Sequence, residues 1–166
     1  MPSLECLPHP TEIRLITLES EREELFKHRW LVLRKPLGMP QGTEQDQYDA
    51  DPRVDQAVAI YHQHIVGSAR LRSLSPILGS IAYVAVLPDY QRRGIGTALM
   101  HFLIELGQQK HYQQLRLMSR TDSLDFYRTL GFNPAGEPVT VHGIPHQFMR
   151  LNLLVALDKT TDSSLN

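Results

Sequence analysis

Hydrophobic positions along this chain change period several times, and each change marks an element. From Ile81 to Leu87 the run IAYVAVL carries no charge and ends at Pro88, the pattern of a strand covered on both faces. Past the polar turn PDYQRRG, apolar side chains recur at Ile95, Ala98, Leu99, Phe102, Leu103 and Leu106, with Thr97, His101 and Glu105 opposite, which predicts an amphipathic helix. Upstream, alternation over Glu12 to Leu18 predicts a first strand. Ser20 with Glu23 forms a capping-box pattern ahead of a helix bearing Leu25, Phe26, Trp30, Leu31 and Leu33, which Pro36 and Gly38 end. Gln56 to Tyr61 and Ile65 to Leu74 read as a hairpin, followed by a loop over Ser73 to Gly79. Gln114 to Ser119 is a further strand. Thr121 or Asp122 caps a short helix through Leu130, with Gly131 at its C′ position. Val139 to Val141 and Gln147 to Leu153 form a closing antiparallel hairpin.

Strand, helix and strand in this order predict a parallel pair at the centre, because a crossover of that length returns the chain to the same edge. The expected fold is therefore a single α/β domain with a mixed sheet flanked by helices, over residues 11–157, between an N-terminal arm (1–10) and a polar tail (158–166). The segment Pro36 to Pro52 reads as a polar loop. Its carboxylates Glu44, Asp46, Asp49 and Asp51 are expected in solvent, where they would suit a cationic amine.

The turn before the long helix carries the most informative chemistry. A strand delivers the chain to a helix N-terminus, where the first N–H groups lack intrahelical acceptors and the macrodipole is positive. Gly94 and Gly96 keep side chains away, and Arg92 and Arg93 add charge, so the turn suits a phosphate-like anion. A Walker loop is excluded, since no GxxxxGK string precedes Ser or Thr. A dinucleotide fingerprint is disfavoured, since Leu99 stands where its third glycine or alanine belongs.

The remaining composition narrows the picture further. With 166 residues and a net charge of −1, there is room for one domain and no general electrostatic case for nucleic acid. The lone Cys6 makes no internal disulfide, and no stretch is long enough to span a membrane, so a soluble cytoplasmic protein is expected. His62 with His64 and His142 with His146 lack thiolate partners, and Gly143 and Pro145 exclude a helical ligand pair, so no metal site is expected.

The string AVLPDYQRRGIGTALM resembles the acetyl-CoA signature of the GNAT N-acetyltransferase superfamily, whose motif Q/R-x-x-G-x-G/A is filled by Gln91, Gly94 and Gly96. Downstream, DFYRTLGF resembles the superfamily's FYxxLGF segment. The resemblance implies a GNAT-like mixed sheet whose central parallel pair splays to admit acetyl-CoA. It implies that Val84, Ala85 and Val86 offer backbone groups to the pantetheine arm. Gln91, Arg92, Arg93, Gly94, Ile95, Gly96 and Thr97 would hold the pyrophosphate, with at most one of the two arginines touching it. Tyr127 matches the tyrosine that protonates the departing thiolate in many relatives, and a main-chain N–H near Val86 would stabilise the oxyanion.

The general base stays open. Where many relatives carry a strand glutamate, this chain has Gly79, Ser80 and Ile81; Ala82 and Met118 are also apolar where relatives are polar. His142, His146, Asp49 and Glu44 are the alternatives, and His146 is favoured because GIPHQFMRL resembles the tail of some small-substrate acetyltransferases. The expected activity is transfer of acetyl from acetyl-CoA to a primary amine of a small molecule or peptide, by a monomer or homodimer. The alternative, supported by the missing glutamate, is a non-catalytic acyl-CoA-binding module.

Overall fold

The computed structural model describes residues 10–153. Apart from Pro10 the expected arm lies outside the described residues, as does the expected tail. In chain order the elements are β1 (Glu12–Leu15), α1 (Glu19–Leu33), β2 (Asp55–Tyr61), β3 (His64–Ser75), β4 (Leu78–Val86), α2 (Ile95–Gln109), β5 (Gln114–Arg120), α3 (Leu124–Thr129), β6 (Asn133–Pro134), β7 (Val139–Val141) and β8 (Ile144–Asn152). They build one mixed sheet in the order β1-β2-β3-β4-β5-β8-β6, with β7 paired to β8. Among the described strands only the β4–β5 pair is parallel, as the strand-helix-strand pattern predicts.

Three local expectations shift. Thr121–Ser123 form a 3-10 turn and Ser123 is the N-cap residue of α3, so neither Thr121 nor Asp122 caps that helix. The first helix is not capped by Ser20 and Glu23. Its cap sits two residues earlier and is one-sided, where Glu21 Oε2 accepts the N–H groups of Thr17 at 2.8 Å and Leu18 at 3.3 Å. The hydrogen bond from Arg14 Nη2, at 2.6 Å, fixes that choice and holds the Glu21 carboxyl down at about 2. The expected loop over Ser73 to Gly79 is instead a tight turn at Pro76 and Ile77, since β3 runs on to Ser75, which pairs with Leu78. Pro76 presets the turn's backbone, and Ser75 Oγ accepts the Ile77 N–H at 3.3 Å.

One face of the sheet is apolar. Ile95, Leu99, Met100 and Leu103 of α2 pack on Ala59, Val66, Ala69, Ile81, Leu115 and Met149. The helix sits so close that a Cβ on Gly67 would lie 3.0 Å from both Ile95 Cγ2 and Leu99 Cδ1. The other face is covered by α1 only over β2 to β4. Leu25 packs there on Val58 and Ile65, but beside it His28 and Arg29 are also buried.

The central pair then separates. Pairing of β4 with β5 runs from Leu78–Gln114 to Ile81–Leu117 and stops. Beyond it β4 stays with β3 through a bulge, while β5 stays with β8 as far as Arg120–His146. Tyr83 sits in the bulge at φ +54°, so the strand bends where the pairing ends. The result is a wedge opening toward the N-terminus of α2.

Candidate active site

The turn from β4 to α2 presents main chain to solvent. Gln91, Arg92, Arg93 and Gly94 are exposed, and the first helical bond is from Ala98 N to Gly94 O at 2.9 Å. Among the described residues, the N–H groups of residues 92–97 have no acceptor. Gly94 turns the chain at φ +81°, a conformation costly for a side chain, and so aims these donors outward together. A row of free donors at the positive end of α2 fits a diphosphate. Gln91 plays a different part, since its Nε2 donates to Val86 O at 3.0 Å and ties the turn to the end of β4.

Along the wedge, backbone alternation decides which groups are free. Leu87 N–H donates to Val66 O at 2.9 Å, so the backbone groups of Val86 point away from β3, its carbonyl to Gln91 and its N–H into the opening, and those of Val84 follow at period two. The Ala85 carbonyl faces the other way, 3.4 Å from His28 Nε2. His28 is buried, and desolvation with Arg29's charge alongside pushes it down to about 4, so it is neutral and donates to Ala85 O.

A cleft of about 440 Å³ lies between the splayed strands, lined by Leu33, Leu37, Tyr83, Val84, Met118, Tyr127, His142 and His146 among others. Tyr127 is held by α3 between Phe126 and Phe132, with ring centroids at 4.9 and 6.1 Å. Burial pushes its phenol up to about 12, and its hydroxyl has no hydrogen-bond partner among the described residues. His146 projects from β8 opposite Arg120, with Nδ1 2.8 Å from Ile144 O. With Nδ1 as donor to that carbonyl, Nε2 keeps a lone pair for a proton.

Two of the four loop carboxylates, Glu44 and Asp49, are not in solvent as expected, whereas Asp51 stays at the surface beside Arg53. Glu44 and Asp49 are each 4% exposed and neither lines the cleft. Arg29 Nη1 lies 3.1 Å from both Asp49 oxygens, and Arg70 Nη1 lies 3.0 Å from Oδ1. Gln56 joins Asp49 at 2.8 Å and Arg29 at 3.0 Å, and Arg70 reaches Asp46 at 2.7 and 2.8 Å. Burial alone would raise the Asp49 carboxyl, but Arg29 and the hydrogen bonds from Asp46 N and Gln56 outweigh it and hold it below the usual range. Glu44 is turned back onto Gly42 N at 2.6 Å and Gln45 Nε2 at 3.1 Å. Of the four alternatives for the base, His142 and His146 face the cleft.

This cluster also seats the bulge. Arg29 lies 4.1 Å from the Tyr83 ring centroid and Arg70 4.8 Å, so Tyr83 is clamped between cations on the strand that borders the wedge. Sequence reasoning missed Arg29 and Arg70. Their signal was present, since Arg29 falls one turn from Leu25 and from Leu33 on the same helix stripe, and Arg70 interrupts the buried run from Ile65 to Leu71.

A strand pair that splays beside an exposed helix N-terminus is the arrangement that the sequence resemblance implies. A family model described as an acetyltransferase (GNAT) domain matches residues 41–153, and the chain belongs to that family. A Bacillus subtilis (strain 168) protein bearing the provisional name of an acetyltransferase is 28% identical over 138 residues, covering 82% of this chain and 93% of its own. The crystal structure of Escherichia coli ElaA aligns over 85% of this chain and 99% of its own, with a TM-score of 0.77 at 20% identity. A GNAT family acetyltransferase from Elizabethkingia anophelis, solved with acetyl-CoA bound, aligns over 86% of this chain and 98% of its own, with a TM-score of 0.63 at 18% identity. Such structural likenesses show the fold; the family match makes the chain an acyltransferase. No described helix is long and apolar enough to cross a membrane. Among the described residues no cluster of His, Cys, Asp or Glu could hold a metal ion.

Proposed function

We propose that the protein moves an acetyl group directly from acetyl-CoA to a primary amine of a small molecule or peptide. The reading rests on one observation: unpaired N–H groups at residues 92–97 stand at the mouth of a wedge whose cleft is lined by a buried phenol and an imidazole. Acetyl-CoA supplies an acyl carbon open to an amine's lone pair and a sulfur able to leave as thiolate.

The chain's residues divide the work. The N–H groups of Arg92, Arg93, Gly94, Ile95, Gly96 and Thr97 bind the diphosphate, and Gln91 fixes their turn to β4. The backbone groups of Val84 and the Val86 N–H hydrogen-bond the amide-rich pantetheine as an added strand would, while the Val86 carbonyl is held by Gln91 and Ala85 anchors β4 to α1. A main-chain N–H of that edge faces the oxyanion. His146 Nε2 takes the proton that the amine must lose to become a nucleophile. Tyr127, kept neutral by burial, donates a hydrogen bond to the departing sulfur. A free thiol titrates near ~8.5, so complete transfer from a phenol at about 12 is uphill. Nitrogen sheds two protons, one to His146 before attack and one as the tetrahedral intermediate collapses to the amide; the thiolate takes up one and the other passes to solvent.

Release of free CoA thiol from acetyl-CoA, measured with a panel of primary amines, tests this reading. At least one amine should drive release above hydrolysis. Tight acetyl-CoA binding with no release for any amine would contradict it and favour a binding module.

A further inference from the structure

The residues lining the cleft carry an uneven balance of charge. Arg34, Arg70, Arg72, Arg116 and Arg120 line it, against Asp46 as the lining carboxylate, and Asp46 is already held by Arg70. Arg34 donates to Thr43 O at 3.0 Å, and Arg120 pairs with Asp122 at 3.0 Å. Arg72 and Arg116 have no carboxylate partner among the described residues.

These two form a built pair. Arg72 of β3 is in register with Ser80 of β4, and Ser80 with Arg116 of β5, so the three side chains stand in one row on the cleft face. Two strand spacings, ~10 Å, separate the arginine backbones, which lets both guanidinium groups reach one anion above the Ser80 hydroxyl. Aromatic rings hold each in place: Arg72 lies 3.6 Å from the Tyr48 ring centroid and Arg116 5.3 Å from that of Phe148. Arg150 of β8 continues the row beyond Arg116, so cations stand side by side with no anion among them. Like charges in register repel, and a bound carboxylate would relieve them.

Resting on the transferase reading above, we infer that the acceptor is an ω-amino carboxylate, its carboxylate held between Arg72 and Arg116 over Ser80 and its amine directed toward Tyr83 and Val84. Ser80 lies three residues before the bulge, ~10 Å along the strand, so the two groups of the acceptor are separated by several bonds. The planar guanidinium fork matches a carboxylate bidentately. Of the loop carboxylates expected to welcome a cationic amine, Asp46 and Asp49 are held by Arg29 and Arg70, Glu44 is turned onto its own loop and Asp51 pairs with Arg53 outside the cleft, which removes the reason to expect a cationic acceptor.

The test compares ε-aminocaproate, its amide and hexamethylenediamine as acceptors. The acid should exceed the amide in kcat/KM by about tenfold or more, and the diamine should be poorest. Arg116→Gln and Arg72→Gln should each raise KM for the acid about tenfold and bring acid and amide level. Arg53→Gln, exposed and outside the cleft, should keep the wild-type preference. Equal or better rates with the amide or the diamine overturn the carboxylate inference while leaving the transferase reading intact. If no acceptor releases CoA, calorimetry with the acetylated acid in the presence of CoA still decides: binding lost in Arg116→Gln supports the arginine pair, and absence of binding to the unaltered protein overturns it.

Discussion

The two sides of the wedge are made of different materials. On the α2 side the groups offered to a ligand are main-chain N–H donors, unpaired because a helix begins there, and side chains matter chiefly by staying out of the way. On the α1 side the surface is made of side chains brought from α1, the following loop, β3 and β4, with Arg29, Asp49, Arg70 and Tyr83 locking one another. A backbone site tolerates change in its neighbours as long as the turn survives. A side-chain cluster with buried charge fails as a unit, because removing one member strands the others in low dielectric.

That contrast predicts unequal penalties. The largest falls on the side-chain cluster: Asp49→Ala leaves Arg29 and Arg70 short of a buried counter-charge and should cost about 3–5 kcal/mol of stability in urea unfolding. A loss under about 1 kcal/mol would mean that the cluster is not a unit.

Next comes the pH response of His28, which joins α1 to β4. Its pKa is lowered from the unfolded 6.5 to about 4, so the unfolded chain binds the extra proton between those values. Stability is complete above pH 6.5 and is lost as pH falls toward 4, by up to about 3 kcal/mol from this residue. His28→Gln, which keeps a donor toward Ala85 O, should flatten that part of the profile; an unchanged slope would assign it to other groups.

Tyr127→Phe removes the one polar atom of a ring that is otherwise packed. It should lower kcat about 100-fold and leave KM for acetyl-CoA nearly unmoved, as expected of a group acting on the leaving sulfur. Equal losses in both would show a packing role instead. The smallest effect belongs to the backbone side. Gly94→Ala, at φ +81°, should cost about 1 kcal/mol in stability and raise KM for acetyl-CoA while leaving the α1 cluster intact.

The same division explains what could be read from the sequence. The turn proposed to hold the diphosphate is contiguous, so Gln91, Gly94 and Gly96 mark it within six residues, and the α3 motif around Tyr127 is equally local. The parallel pair followed from the helix period between two strands. What stayed hidden depends on partners far along the chain. Nothing near Asp49 says that Arg29 and Arg70 will enclose it, so a polar loop was expected to be wet. Nothing near Ser20 says that Arg14 will select Glu21 as the helix cap. The row of Arg72, Ser80 and Arg116 likewise exists only once three strands are in register.

The proposed grip of the α2 turn on the diphosphate is tested most directly by following backbone amide resonances while CoA is titrated in. Residues 92–97 should shift saturably with CoA and stay still with pantetheine, which lacks the diphosphate. Saturable CoA binding that leaves those amides unmoved and shifts another surface would contradict the proposed site.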